Sequence, residues 1–207
     1  MTPRRTHGLL ITLLSAGLLT ACTSTAGGDA HGNDTAPTND DEPSTARTST
    51  QRAGQAPPID EPLDVSTLTS EPCSALSETQ RDELNLKSGK VKEGSTGPYC
   101  KYRYRNDSGN LVTVGVSNRL PQGLDSVYGK RENLEVFEST TIAGYPAVYA
   151  AQHDQREQGL CQLYVGVTDT NVVRLMAQLY PDTHDYPRGC EVAELTAETM
   201  IEHLSND

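Results

Sequence analysis

Tyr99-Cys100-Lys101-Tyr102-Arg103-Tyr104-Arg105 changes side-chain character at every step, and Leu111-Val112-Thr113-Val114-Gly115-Val116-Ser117 follows it after Asp107-Ser108-Gly109-Asn110. In a strand, successive side chains point to opposite faces. Cys100, Tyr102 and Tyr104 therefore share one face, and Lys101, Arg103 and Arg105 share the other. In the second run Val112, Val114 and Val116 point inward. Two such runs around a turn rich in Asp, Ser, Gly and Asn read as an antiparallel hairpin.

Downstream, Leu124, Val127, Tyr128, Arg131 and Leu134 recur at helical spacing and predict a helix over 125–134. Strands are predicted over 136–142 and 147–152 around Gly144-Tyr145-Pro146, and over 160–167 and 171–179 around Asp169-Thr170. A final amphipathic helix over 191–204 puts Val192, Leu195, Thr199, Ile201 and Leu204 mostly on one side. Upstream, Ser77 followed by Gln80 is a capping box and starts a helix over 78–86. Residues 87–98, with Gly89, Gly94, Gly97 and Pro98, are expected to be loop. Strands joined by short turns pair with their neighbours. The expected fold is α+β: one antiparallel sheet of about six strands with flanking helices, filling a single domain over 61–207. With no Trp and one Phe, its core has to come from Val, Leu, Ile, Ala and the Tyr rings.

The first 21 residues read as a secretory signal: Arg4 and Arg5 in a short polar start, then an apolar run from Gly8 to Leu19. The run is too short to span a bilayer, which takes about 20 apolar residues. Leu19-Thr20-Ala21-Cys22 resembles the lipobox of bacterial lipoproteins. That resemblance implies acylation of Cys22 and a protein held by lipid on the extracytoplasmic face of the cell membrane. Two or more acyl chains hold a protein stably, at about 0.8 kcal/mol per buried CH₂. Twin arginines also occur in the twin-arginine export route, but the residues around Arg4-Arg5 fit it poorly. Residues 22–60 are mostly Thr, Ser, Ala, Gly, Asn, Asp and Pro and read as a disordered linker. A linker of that length spans roughly 35 Å root-mean-square. Its sequon at Asn33 is a chance match in such a protein.

Without the signal, 15 Lys and Arg face 28 Asp and Glu. That balance speaks against nucleic acid and anionic headgroups, which are both bound through cations. Beyond Cys22 there remain Cys73, Cys100, Cys161 and Cys190, an even number in an exported chain, and so two disulfides with three possible pairings. No pair has Cys-x-x-Cys spacing, which speaks against zinc and thioredoxin-like chemistry. Pairing Cys73 with Cys100 and Cys161 with Cys190 staples a helix to the sheet each time and is the favoured arrangement.

Catalytic patterns are weak. Of the domain histidines His153, His184 and His203, none lies in a metal-binding spacing, and Asp182-Thr183-His184-Asp185 reads as a solvated loop. Gly115-Val116-Ser117-Asn118-Arg119 approaches a nucleophile elbow but lacks its last glycine and lies on a hairpin strand. No catalytic residue, cofactor or metal site is expected. The row Lys101, Arg103 and Arg105 is the candidate contact for an anionic ligand or an acidic partner, set against the ordinary polar outside of an antiparallel sheet.

Several pieces together resemble an actinobacterial lipoprotein family of unknown function marked by an Asp-Pro-Cys motif. They are Glu71-Pro72-Cys73, Tyr99-Cys100-Lys101-Tyr102, Gly144-Tyr145-Pro146-Ala147, Cys161 and Gly189-Cys190. Glu71 departs from the motif's Asp. The resemblance implies a location and a disulfide pattern, and no activity. The expected role is a non-enzymatic envelope lipoprotein that binds another protein, with a small-ligand or wall-fragment binder as the alternative and a wall enzyme as the third choice. An apolar patch would mark the first, an enclosed pocket the second, and clustered acids or histidines with shifted pKa the third.

Overall fold

The computed structural model describes residues 54–106, 108–181 and 186–206. The expected signal, Cys22, the linker up to residue 53, the Asn33 sequon and the Asp182–Asp185 loop all lie outside the described residues.

Seven strands make one antiparallel sheet: β1 (Lys90–Gly94), β2 (Gly97–Arg103), β3 (Leu111–Val116), β4 (Val136–Ile142), β5 (Tyr145–Ala151), β6 (Leu160–Gly166) and β7 (Val172–Gln178). Their order across the sheet is β1-β2-β3-β7-β6-β5-β4. The helices are α1 (Ser66–Ser70), α2 (Glu78–Glu83), α3 (Asp125–Tyr128) and α4 (Gly189–Ser205). The α+β class and the hairpin at its centre agree with the sequence. Cys100 pairs with Val114 and Tyr102 with Val112, so the apolar alternation of both strands falls on one face.

That inner face carries the main core. Cys100, Tyr102, Val112, Val114, Leu163, Val165, Val173, Leu175 and Ala177 pack there under α1, α4 and the turn Pro72–Ala75. Burial of such residues, at about 25 cal/mol per Å² of apolar surface, is the main favourable term. Both disulfides tie covering elements to this face: Cys73–Cys100 at a Cα separation of 4.8 Å and Cys161–Cys190 at 5.0 Å. Tyr102 is fully buried, and its hydroxyl donates to the Cys73 carbonyl at 3.1 Å. A smaller core lies on the outer face, where Leu120, Leu124 and Val127 cover Val148, Ala150 and Val172.

The additional strand is β1, which lies where a loop is expected. Lys90-Val91-Lys92-Glu93 has no buried residue, so periodicity does not mark it. It forms because the turn after Gly94 returns it along the edge of β2, from Lys90 opposite Lys101 to Gly94 opposite Gly97. Helix α2 has its capping box, Gln80 N–H to the Ser77 hydroxyl at 3.3 Å and Ser77 N–H to Gln80 Oε1 at 3.0 Å. It stops at Glu83 because the chain turns at Asn85, with φ of 56°, to bury Leu86 opposite Tyr104. Helix α3 ends at Tyr128, since Gly129 is a poor helix former, and the rest of the expected helix is a 3₁₀ turn at Arg131–Asn133.

The β4–β5 turn falls on Ala143-Gly144, both with positive φ, so Pro146 lies inside β5. It is tolerated there because pairing of β5 with β6 begins only at Ala147. Residues ahead of 61 also touch the domain. Ala56 N–H donates to Asp125 Oδ1 at 2.7 Å, and Ile59 lies beside Gly166 and Leu124.

Candidate functional site

The register sorts every strand side chain onto one of two faces. On the outer face, β1 presents Lys90 and Lys92, opposite Lys101 and Tyr99 of β2. Next come Lys101 and Arg103 of β2, then Thr113 and Gly115 of β3, then Met176 and Arg174 of β7. The α3 segment covers the other half of this face and does not reach these strands, where Thr113 and Gly115 of β3 are buried between the side chains of β2 and β7. Five cations thus stand on one half-sheet: Lys90, Lys92, Lys101, Arg103 and Arg174. No strand residue on the outer face is acidic, in a chain whose net charge is −11. Among the described residues none of the five forms an ion pair.

The expected row changes in membership. Lys101 and Arg103 stand on it, but Arg105 lies past the end of β2. Its guanidinium pairs with Asp82 and donates from Nε to the Leu86 carbonyl at 2.9 Å. Lysines on an edge strand have an ordinary use, since they deter edge-to-edge pairing. That accounts for Lys90 and Lys92 on β1. It does not account for Lys101, Arg103 and Arg174, which belong to interior strands.

Beside these cations lies a cleft of about 170 Å³. Gly115 makes its hollow. A Cβ there would stand 2.8 Å from the Pro98 carbonyl and 2.8 Å from Tyr99 Cβ, so only glycine lets β2 approach so closely. Tyr99, Thr113, Arg174, Ser95 and Thr96 surround the hollow, and no carboxylate lines it. Arg174 is opposite Gly115 in the register. One terminal nitrogen donates to Gln162 Oε1 at 2.7 Å, and the guanidinium lies 6.0 Å from the Tyr164 ring centre. Its Nε is buried and has no acceptor.

Gln162 and Tyr164 also wall a neighbouring cleft of about 410 Å³, which includes Lys130 and His153. His153 lies 3.2 Å from Glu135, and both are well exposed. The Asp154 N–H, then His153, hold Glu135 below the usual carboxylate range. Arg156 lowers Asp154 to about 2. Acids held this low do not serve as proton donors near neutral pH.

The helix side has the opposite charge. Glu191, Glu194, Glu198 and Glu202 follow one another along α4. Tyr149 donates to Glu194 at 2.9 Å, and burial first, then this carboxylate, push its hydroxyl pKa up. A groove of about 310 Å³ between α2 and α4 includes Leu195. Among the described residues the large exposed apolar side chains are Val91, Tyr180 and Leu195, scattered at separate places in the chain where a patch was expected. Ser117, of the elbow-like stretch, follows the end of β3 and donates its N–H to the Val172 carbonyl at 2.9 Å. It is not on a strand-to-helix turn.

Reasoning from sequence missed Lys90, Lys92 and Arg174. The first two lay in an expected loop. Arg174 had a signal, since it is the one charge inside the apolar run Val172-Val173-Arg174-Leu175-Met176. Among the described residues no group of three His, Cys, Asp or Glu is arranged to hold a metal, and no helix is long and apolar enough to cross a membrane.

No curated protein and no solved structure matches the chain. One family does, described as "Protein of unknown function (DUF3558)", over residues 17–203. That match takes in nearly the whole length of the chain, which therefore belongs to this family.

Proposed function

We propose that this protein is a lipid-anchored, extracytoplasmic docking module without catalytic activity, and that its bare cationic sheet face receives an acidic surface of another envelope protein. One observation carries this reading. Among the described residues Lys101, Arg103 and Arg174 stand without an ion pair on interior strands, and no strand residue on that face is acidic, while the chain as a whole is strongly acidic. A chain of net charge −11 is repelled as a whole by extended anionic surfaces such as a headgroup layer. A partner of protein size can touch the cationic face alone, and so gains the local attraction without that repulsion. Complementary charge of this kind raises encounter rate and sets orientation more than it raises affinity. The apparent lipobox at Cys22 supports the membrane location, and the composition of residues 22–53 suits a tether.

The test is chemical crosslinking of the full-length protein in its native membrane. A reproducible acidic partner that disappears in the Lys101→Glu/Arg103→Glu variant, and whose capture weakens as salt rises from 50 to 500 mM, supports the reading. Capture indifferent to both charge reversal and salt would sink it.

A further inference from the structure

We infer that the hollow over Gly115 is a binding site for a single carboxylate group, with Arg174 as the residue that grips it. The inference rests on the outer face being the binding surface and adds the chemistry of what enters it. Three features of the hollow carry it.

The first is charge. Among the described residues Arg174 is the sole cation lining the cleft, and no acid lines it. One fixed positive charge matches a monoanion, whereas a phosphate near neutral pH carries more charge than this wall offsets. The second is pre-orientation. Gln162 holds one terminal nitrogen of Arg174 at 2.7 Å, and the Tyr164 ring centre lies 6.0 Å from the guanidinium carbon. A guanidinium fixed this way presents its remaining N–H groups in a rigid fork, the geometry that suits a planar carboxylate. The buried Nε, which lacks an acceptor, marks a cation whose hydrogen-bonding capacity the protein does not use up. The third is the remaining lining. The hydroxyls of Ser95, Thr96, Tyr99 and Thr113 can all donate to an anion. Gly115, which lines the hollow, lets β2 come this close, because a Cβ there would meet the Pro98 carbonyl and Tyr99 at 2.8 Å. At about 170 Å³ the hollow takes a carboxylate and a short stub of its carrier, not a large ligand.

Such a carboxylate has two sources: a free small acid, or a side chain or chain terminus of a partner protein. The experiment is a titration of the full chain, in detergent, followed by NMR on the backbone amides of Thr113 and Gly115. The probes are propionate, N-acetyl-diglycine, N-acetyl-glutamate α-amide, N-acetyl-diglycine amide and inorganic phosphate. The expected result is a saturable shift in the millimolar range with at least one carboxylate probe, none with the amide, and at least tenfold weaker binding in Arg174→Gln. Response to propionate alone assigns the site to a free acid. Response to the peptide acid or the blocked glutamate assigns it to a partner's terminus or side chain.

Equal response to acid and amide, no response to any acid at 50 mM, or response to phosphate alone would overturn the inference. If Arg174→Gln does not fold, Thr113→Val and Arg174→Lys are used; both should weaken binding, and unchanged binding in both overturns it. Partner capture is read by crosslinking in the membrane and the small-acid shift by NMR on the wild-type chain, so failure of partner docking and failure of this site are separable.

Discussion

Removing the Cys161–Cys190 bridge by replacing both residues with Ala is expected to cost the domain a large share of the roughly 5–15 kcal/mol of stability that an ordinary protein has. The bridge joins β6 to the first turn of α4 and closes a loop with a sequence separation of 29. In the chain-entropy model a closed loop of that length restricts the unfolded chain by about 12 cal/mol/K, or roughly 3.6 kcal/mol at 25 °C. A domain of this size loses roughly 2–4 °C of Tm per kcal/mol, so the midpoint should fall by about 10 °C. α4 covers the inner face of β6 and β7, where Ala193, Ala197 and Met200 are fully buried, and this native packing stays in place in the variant. The loss should therefore appear in the urea midpoint, with a somewhat steeper slope of free energy against urea because the denatured chain without the bridge is more expanded. Equilibrium urea melts of the oxidised wild type and the double variant measure it. A loss below about 1 kcal/mol would refute the claim that the bridge acts through the unfolded chain. So would a peptide map of the wild type that links Cys161 to Cys73 or Cys100.

Other perturbations probe neighbouring parts. Gly89→Ala would place a Cβ 2.2 Å from Cys100 Sγ and 2.7 Å from Tyr102 Cε1, so overpacking of about 1–3 kcal/mol is expected in thermal or urea melts. Burial pushes the Tyr102 hydroxyl up to about 12, while an exposed tyrosine ionises near 10. The folded state therefore holds its proton longer than the unfolded one. Stability is complete below pH 10 and falls as pH rises through 10 to 12, and Tyr102→Phe should flatten that alkaline limb while costing about 1 kcal/mol at neutral pH from the lost bond to Cys73. Cys22→Ala should move the processed protein from the membrane to the soluble fraction, and retention after signal cleavage would contradict the lipid anchor.

The fold was legible where burial imposed a rhythm. Cys100 and Tyr102 against Val112 and Val114 announce a two-sided hairpin, and Ser77 with Gln80 announces a cap, because both patterns follow from local geometry. β1 left no rhythm, since an edge strand with neither face buried owes its conformation to the neighbour it pairs with. The early end of α2 was hidden for a related reason: Leu86 is drawn out of helical register by a bridge to Tyr104, a contact 18 residues away. Half of the candidate face could be read from Lys101 and Arg103. The other half could not, because Arg174 comes beside Gly115 only through the crossover that places β7 against β3. Gly115 looked like a piece of a weak catalytic pattern, whereas in the fold its missing side chain is what makes the cleft.

A photoreactive side chain introduced at Lys92, exposed on the outer face of β1, and separately at Leu195, on α4, tests the docking face most directly. The full-length protein is irradiated in its native membrane at low salt. The expected result is a discrete adduct from Lys92 that is lost in the Lys101→Glu/Arg103→Glu background, with none from Leu195. An adduct from Leu195 alone would place the partner in the groove between α2 and α4, and the cationic sheet face would not be the docking surface.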